Sequence, residues 1–445
     1  MNPFKRSQPR TTKTVAVIGG GWAGCAAAVE LAQRGHHVHL FESARTLGGR
    51  ARGVELNGCV LDNGQHLLLG AYRETLRLMR VVGIDATQVM RRLPLQMRYP
   101  DDSDGMDFVA PRLPAPLHLL VALLRARGLA REDKMALARF SSTARWMDWQ
   151  LHVDCSVTQL LERFDQTPRL IRLMWRPLCL AALNTPPDRA SAQVFLAVLR
   201  DSLGAKRAAS DMLIPTVDLT RLFPQHAAAH VAQRGGVITC GATISAIRSA
   251  GARWQIDGAE SASEVDAVVI ATQASHAADL LQGVIDTTTL TSLTYEPITT
   301  CYLQYPQDVR LPQPFLALAD NPAMSEWGQF VFDRGQLDVR QAGLFAVVIS
   351  ASSAAIADGS QALTAAVAAQ LARVLRQPSL ITFSWSKVIT EKRATFACTP
   401  GLRRPENQTG VAGLVLAGDY TAGDYPATIE SAVRSGVQAA RLIDA

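Results

Sequence analysis

Charge is scarce in this chain: only 19% of its 445 residues are Asp, Glu, Lys or Arg, below the usual quarter. The shortfall suits a globular protein that hides a large apolar ligand or touches a membrane. Cysteine pairs are missing too. Cys25, Cys59, Cys155, Cys179, Cys240, Cys301 and Cys398 are odd in number, widely spaced and without a CxxC. That pattern argues against a disulfide framework or a zinc site and for a reducing compartment, the cytoplasm. No run reaches the eighteen apolar residues of a spanning helix, and no apolar leader precedes the first motif. The basic surplus, 45 against 39 for a net +6, lies in scattered arginines without interleaved aromatics. Nucleic acid is therefore not an expected partner, and anionic lipid is the better use of the charge. There is no internal repeat or low-complexity tract.

What is present starts at Thr14. Thr14-Val15-Ala16-Val17-Ile18 reads as a buried strand, and Gly19-Gly20-Gly21-Trp22-Ala23-Gly24 follows as GxGxxG. Cys25 to Arg34 reads as a helix stopped by Gly35, and His37 to Phe41 as a second strand ending in Glu42. In that order the residues have physical jobs. Gly19 permits the tight turn, Gly21 lets the backbone approach a pyrophosphate, and Gly24 lets helix and strand close up. The pyrophosphate then rests on the helix's free N–H groups. Glu42 stands where a carboxylate accepts from the ribose hydroxyls of adenosine, and its charge repels a 2′-phosphate. Leu47-Gly48-Gly49-Arg50 adds a glycine pair and an arginine that simple NAD domains do not need. Gly49 and Arg50 suit a second approach to the dinucleotide, which favours FAD; the alternative is an ordinary turn with a surface arginine.

Near the other end, Leu414 to Ala417 reads as a buried strand running into Gly418 and Asp419, and Ala427 to Leu442 as a helix. The start of that helix, at Thr428 and Ile429, aims a positive dipole end at the electron-rich edge of a flavin, worth about 0.3–2 kcal/mol to its anionic reduced form. Asp419 is placed for a ribityl hydroxyl. Between the ends, Gly235 to Cys240, Thr243 to Ile247 (with Ile244 facing the cofactor), Trp254 to Ile256 and Val265 to Ala271 read as strands. The expected fold is α/β: a Rossmann-like FAD-binding domain made from residues 1–85, 211–290 and 396–445. A mixed α+β substrate domain from 86–210 and 291–395 sits beside it.

These residues together resemble the amine oxidase and phytoene desaturase superfamily. Within it the chain is most similar to the squalene-associated desaturase-like family, the hydroxysqualene dehydroxylases of hopanoid and squalene synthesis. The narrower likeness rests on Asp62-Asn63-Gly64-Gln65-His66 with Leu67 to Tyr72, Trp175 to Asn184, Lys392 to Phe396, and Gly418-Asp419 with Pro426 to Glu430. It implies an amine oxidase-like two-domain flavoprotein that takes a hydrophobic isoprenoid alcohol, hydroxysqualene, to squalene with reduced FAD. It also implies that Gly64 lies beside the flavin ring. Removal of hydroxide requires a proton donor. His66 is the first candidate, its alternative being a histidine bonded to backbone at the base of the flavin site. Asp424 and Tyr425 come next, either as donors or as loop residues shaping the helix entry. Lys392 and Arg393 contact flavin or form a solvated pair. Asn184 lines a substrate tunnel, and Trp175 packs in the core.

Leu113 to Leu129, with Leu117, Leu120, Val121 and Leu124 on one face and arginines around its ends, reads as a helix in the membrane interface or one packed on the substrate domain. Rival functions remain open: a carotenoid or squalene desaturase running hydride the other way, an amine oxidase, or an accessory protein with structural FAD. Thr428, where amine oxidases commonly place tyrosine, counts against amines. No second dinucleotide motif names the electron donor.

Overall fold

The computed structural model describes residues 12–56, 58–100, 104–258 and 263–444. Along the chain, β1 (Thr14–Ile18), α1 (Trp22–Gln33) and β2 (His37–Glu42) lead into α2 (Arg73–Val81), α3 (Leu117–Arg125) and α4 (Arg131–Trp146). Next come β3 (Val237–Cys240), β4 (Ala267–Ile270), β5 (Tyr295–Gln304), β6 (Phe315–Ala317), β7 (Phe330–Asp333), β8 (Leu344–Ser350) and β9 (Trp385–Phe396). The strand β10 (Leu414–Leu416) and the helix α5 (Ile429–Ile443) close the chain.

Two sheets organise these elements. The first runs β3-β2-β1-β4-β10, every neighbouring pair parallel. Its inner strands are apolar and buried without alternation, as a sheet covered on both faces demands: Val15, Ala16 and Val17 in β1 and all four residues of β4 have no exposed surface. The second runs β6-β7-β8-β5-β9 and is antiparallel throughout. A parallel nucleotide-type sheet is thus joined to an antiparallel sheet of the substrate side. The fold is α/β, as the sequence leads one to expect.

The first and last helices lie side by side because small residues let them. A Cβ on Gly436 would stand 2.1 Å from Ala23 O, whereas Gly24 closes the first helix onto its own turn, where a Cβ would stand 1.9 Å from Gly19 O. The chain ends are tied down beside them. Lys13 Nζ donates to Ile443 O at 2.5 Å, and Asp444 accepts from Arg34 (2.5 Å) and His36 (2.6 Å).

Several elements differ from the sequence expectation. α1 begins at Trp22, three residues early, since the glycine turn leads straight into the helix. Of the segment Thr243–Ile247, Thr243 to Ser245 are not strand: Gly241 N and Ala242 N donate to Ala44 O and Glu42 O, which folds this stretch back over the end of β2. Pairing starts only at Ala246, in a strand running to Ala250. The apolar stretch 113–129 gives a nine-residue helix, α3, confined by Pro116 before it and by the turn at Ala126 and Gly128 after it.

Candidate functional site

In a parallel sheet the carboxyl ends of the strands share one edge, and β1 and β10 deliver α1 and α5 to it. The start of α1 is built from glycine. Gly19 sits at φ +109°, and a Cβ there would meet Ala271 O at 2.6 Å, so the turn admits no side chain. Gly21, the residue before the helix, makes no side-chain cap, and a Cβ on it would meet only Gly49 Cα, at 3.9 Å. The first N–H groups of α1 therefore face an open cradle, which is what a pyrophosphate needs. Gly48 N donates to Gly20 O at 2.8 Å, bringing the second glycine pair onto the first, and Gly49 adopts φ +60° against Gly21. Glu42 is buried, with Oε2 accepting from Gly20 N (2.6 Å) and Oε1 from Ala44 N (2.8 Å). Ile244 is buried in the loop folded over this same segment.

Arg50 leaves the glycine pair and crosses to the other end of the chain. Nη2 meets Asp419 Oδ1 at 2.5 Å, and Nη1 donates to Ala394 O at 2.7 Å. A pocket opens there, lined by Arg50, Gln273, Tyr295, Phe396, Asp419 and Tyr420. The Tyr420 hydroxyl is buried with no hydrogen-bond partner. An orphaned buried donor in a pocket with an arginine–aspartate pair, together with the side-chain-free cradle at the start of α1, fits a polyhydroxylated dinucleotide such as FAD. Tyr420 was adjacent to a recognised residue, and Gln273 follows β4 at the sheet's binding edge; position alone could have found both.

At α5, Thr428 is the cap: its hydroxyl accepts from Ser431 N at 3.1 Å. Gly418 ends the strand segment, with Gly418 N donating to Ser435 Oγ. Ile429 is buried behind the cap. Glu430 has a second use, unforeseen from sequence. It is fully buried and accepts from Glu74 N (3.1 Å), Thr75 N (3.0 Å) and Thr75 Oγ1 (2.8 Å), capping α2, while Arg434 Nε reaches it at 2.7 Å.

The three candidate proton donors have different surroundings. Gly64 keeps open space around its α-carbon, with His66 Cε1 and Thr300 Oγ1 each 3.8 Å from a would-be Cβ. His66 Nδ1–H donates to Gly64 O at 2.7 Å, leaving Nε2 without a hydrogen bond. Burial, the largest influence, and the charge of Arg50 hold its pKa below the ordinary histidine value, against the bond to Gly64. Tyr425 is buried and gives its hydroxyl proton to Asp201 Oδ2 at 2.5 Å, with Arg434 4.3 Å over its ring. The Asp424 side chain is 72% exposed and lies 3.5 Å from Arg200.

Four other residues are settled by contacts. Trp175 is core: it bonds Gln166 Oε1 at 2.9 Å and packs on Phe140 and Phe195. Asn184 does not stand free in a tunnel wall. Its Nδ2 donates to Glu296 O and Thr395 Oγ1, and its Oδ1 accepts from Ala351 N at 2.7 Å, so it stitches the ends of β5, β8 and β9 together. Lys392 is exposed, and Arg393 bonds Ser275 Oγ and covers the Tyr295 ring.

Residues 22–444 match the family of flavin-containing amine oxidoreductases. Hydroxysqualene dehydroxylase from Rhodopseudomonas palustris is 30% identical over 97% of this chain and 98% of that protein. A 15-cis-phytoene desaturase from Synechococcus elongatus is 24% identical over 96% and 95%. In three dimensions, cyclohexylamine oxidase from Brevibacterium oxydans superposes with a TM-score of 0.69 at 16% identity, over 98% of this chain and 99% of that one.

Proposed function

The chain belongs to the family of flavin-containing amine oxidoreductases, and from that premise we propose that it binds FAD and removes the hydroxyl of hydroxysqualene reductively, giving squalene. The observation that carries this is end-to-end similarity to a dehydroxylase of that name. Two more dehydroxylases, from Sinorhizobium fredii and Zymomonas mobilis, match over nearly the whole chain as well.

The proposed roles follow from the contacts. The α1 start with Gly19, Gly21, Gly24 and Gly49 holds the pyrophosphate, while Glu42 and Ile244 face the adenosine end. Arg50, Gly64, Gly418, Asp419, Thr428 and Ile429 surround the flavin half. A bound reduced flavin would supply the hydride. Departure of the allylic hydroxyl as water consumes one proton, which we assign to His66 Nε2. That nitrogen is unengaged, because Nδ1 is held by Gly64 O. Tyr425 is a poorer donor, since its proton is committed to Asp201, and Asp424 faces solvent. An isoprenoid of this kind partitions into lipid, so the enzyme meets it at the membrane surface. The low charged fraction agrees with that setting.

The test is anaerobic. Enzyme reduced before mixing is expected to convert hydroxysqualene to squalene in one turnover, read by mass spectrometry. Unchanged alcohol beside fully reduced flavin sinks the assignment. The phytoene desaturase relative favours a second reading, so oxidised enzyme is offered a polyene in parallel. Desaturation there, with no dehydroxylation, makes the chain a desaturase.

A further inference from the structure

Among the described residues, nothing covers the outward side of α3. Leu117 and Leu120 are each 50% exposed and Leu124 is 65% exposed, with Leu113 exposed just ahead of them. Leu117, Leu120 and Leu124, three and four residues apart, form one helical stripe, with Leu113 in the loop ahead of Pro116. The inward side carries His118, Ala122 and Leu123, all buried.

α4 extends the surface. Lys134 Nζ donates to Leu124 O at 2.9 Å, fixing the start of α4 to the end of α3 and setting the exposed Met135 next to that junction. Leucine with arginine at its rim is the composition of a surface that sits where water meets hydrocarbon.

Charge decides the occupant. Residues 112–146 hold seven basic and two acidic side chains, a surplus of five in a chain whose whole net charge is +6. Arg112, Arg125, Arg127, Arg131, Arg139 and Arg145 are all exposed. A second copy of this chain docking through the same face would set these cations against one another, whereas acidic headgroups meet them with opposite sign. Among the described residues, no helix is long and apolar enough to cross a membrane. A nine-residue helix, about 14 Å long, suits lying in the plane of the interface instead.

We propose that α3, with the start of α4, is a docking face for an anionic lipid bilayer: the leucine stripe enters the acyl boundary and the arginines rest among the headgroup phosphates. This goes beyond the dehydroxylase reading and is tested without substrate, so either can fail alone. The experiment is cosedimentation of the flavin-loaded protein with vesicles of phosphatidylcholine, alone or mixed with phosphatidylglycerol. Binding to the mixed vesicles is expected to be at least about tenfold tighter. The combined Leu117→Asp, Leu120→Asp, Leu124→Asp variant is expected to bind roughly a hundredfold more weakly. A second variant, Arg125→Glu with Arg127→Glu, leaves the leucines in place and is expected to lose about tenfold, only on the mixed vesicles. Circular dichroism and flavin content check that both variants are folded. Equal binding to the two vesicle types, or full binding by either variant, overturns the proposal. So does sedimentation of the parent as a dimer that the leucine substitutions convert to monomer, since the face then belongs to a second copy.

Discussion

The starts of α1 and α5 open on the same edge of one sheet, yet they are finished in opposite ways. α1 begins in glycine, has no side-chain cap and leaves its N–H groups to the cradle. α5 begins with a capping threonine and a buried glutamate whose bonds go to a different helix, α2. One start is kept empty for a ligand; the other is secured by protein. If both helix ends serve the proposed FAD site, they hold it by different means. Emptiness suits phosphate oxygens, whereas a fixed helix axis suits a ring that must be held in one plane.

The largest way to break this comparison is at Glu430. In Glu430→Ala the N–H groups of Glu74 and Thr75 and the guanidinium of Arg434 lose a fully buried acceptor. A loss of about 3–5 kcal/mol is expected in urea unfolding, and an unchanged midpoint would show that the carboxylate holds nothing. Next come two glycines of one motif. Gly24→Ala forces a Cβ into Gly19 O and is expected to cost about 1–3 kcal/mol of stability before any ligand is added. Gly21→Ala has room, so the apoprotein is expected within about 0.5 kcal/mol of the parent. Its flavin absorbance near ~450 nm is nonetheless expected to be lost after gel filtration, because the new methyl occupies the phosphate cradle. If both variants fail alike, the cradle is structural rather than vacant for a ligand.

Smaller still is Thr428→Ala, which removes one cap and is expected to cost about 1 kcal/mol by thermal unfolding. The finest probe is pH. His66 must carry a proton on Nε2 to act as the acid, and its pKa is depressed. The single-turnover rate is therefore expected to be highest on the acid side and to fall as pH rises through a value below the ordinary histidine range. His66→Ala is expected to flatten that limb. A parent profile flat through that region removes His66 from the role.

How much of this could be read in one dimension depended on distance along the chain. β1, the glycines, α1 and β2 are contiguous, each constrains the next, and their order reports a nucleotide cradle almost without the coordinates. Thr428 was legible as the start of a helix for the same reason. The Arg50–Asp419 contact joins residues 369 positions apart, and Glu430 meets Thr75 across 355. Nothing in local spacing announces such partners: Arg50 reads only as a second approach to the dinucleotide, and nothing near Glu430 in sequence points to α2. Ile244 was misplaced on a strand because Thr243–Ile247 has the composition of one; the N–H groups of Gly241 and Ala242 had already been drawn to the end of β2. Asn184 reads as a tunnel residue in one dimension because its partners, the acceptors Glu296 O and Thr395 Oγ1 and the donor Ala351 N, arrive from three later segments.

The stitching of residue 13 to residue 443, and of Asp444 to Arg34 and His36, sets a timetable for biosynthesis. β4 waits for β10, and α1 waits for α5, so a nascent chain still missing its last thirty or so residues has half a cradle and an uncovered apolar helix. A polypeptide that stops short of α5 is therefore expected to be cleared by proteases before it takes up a flavin.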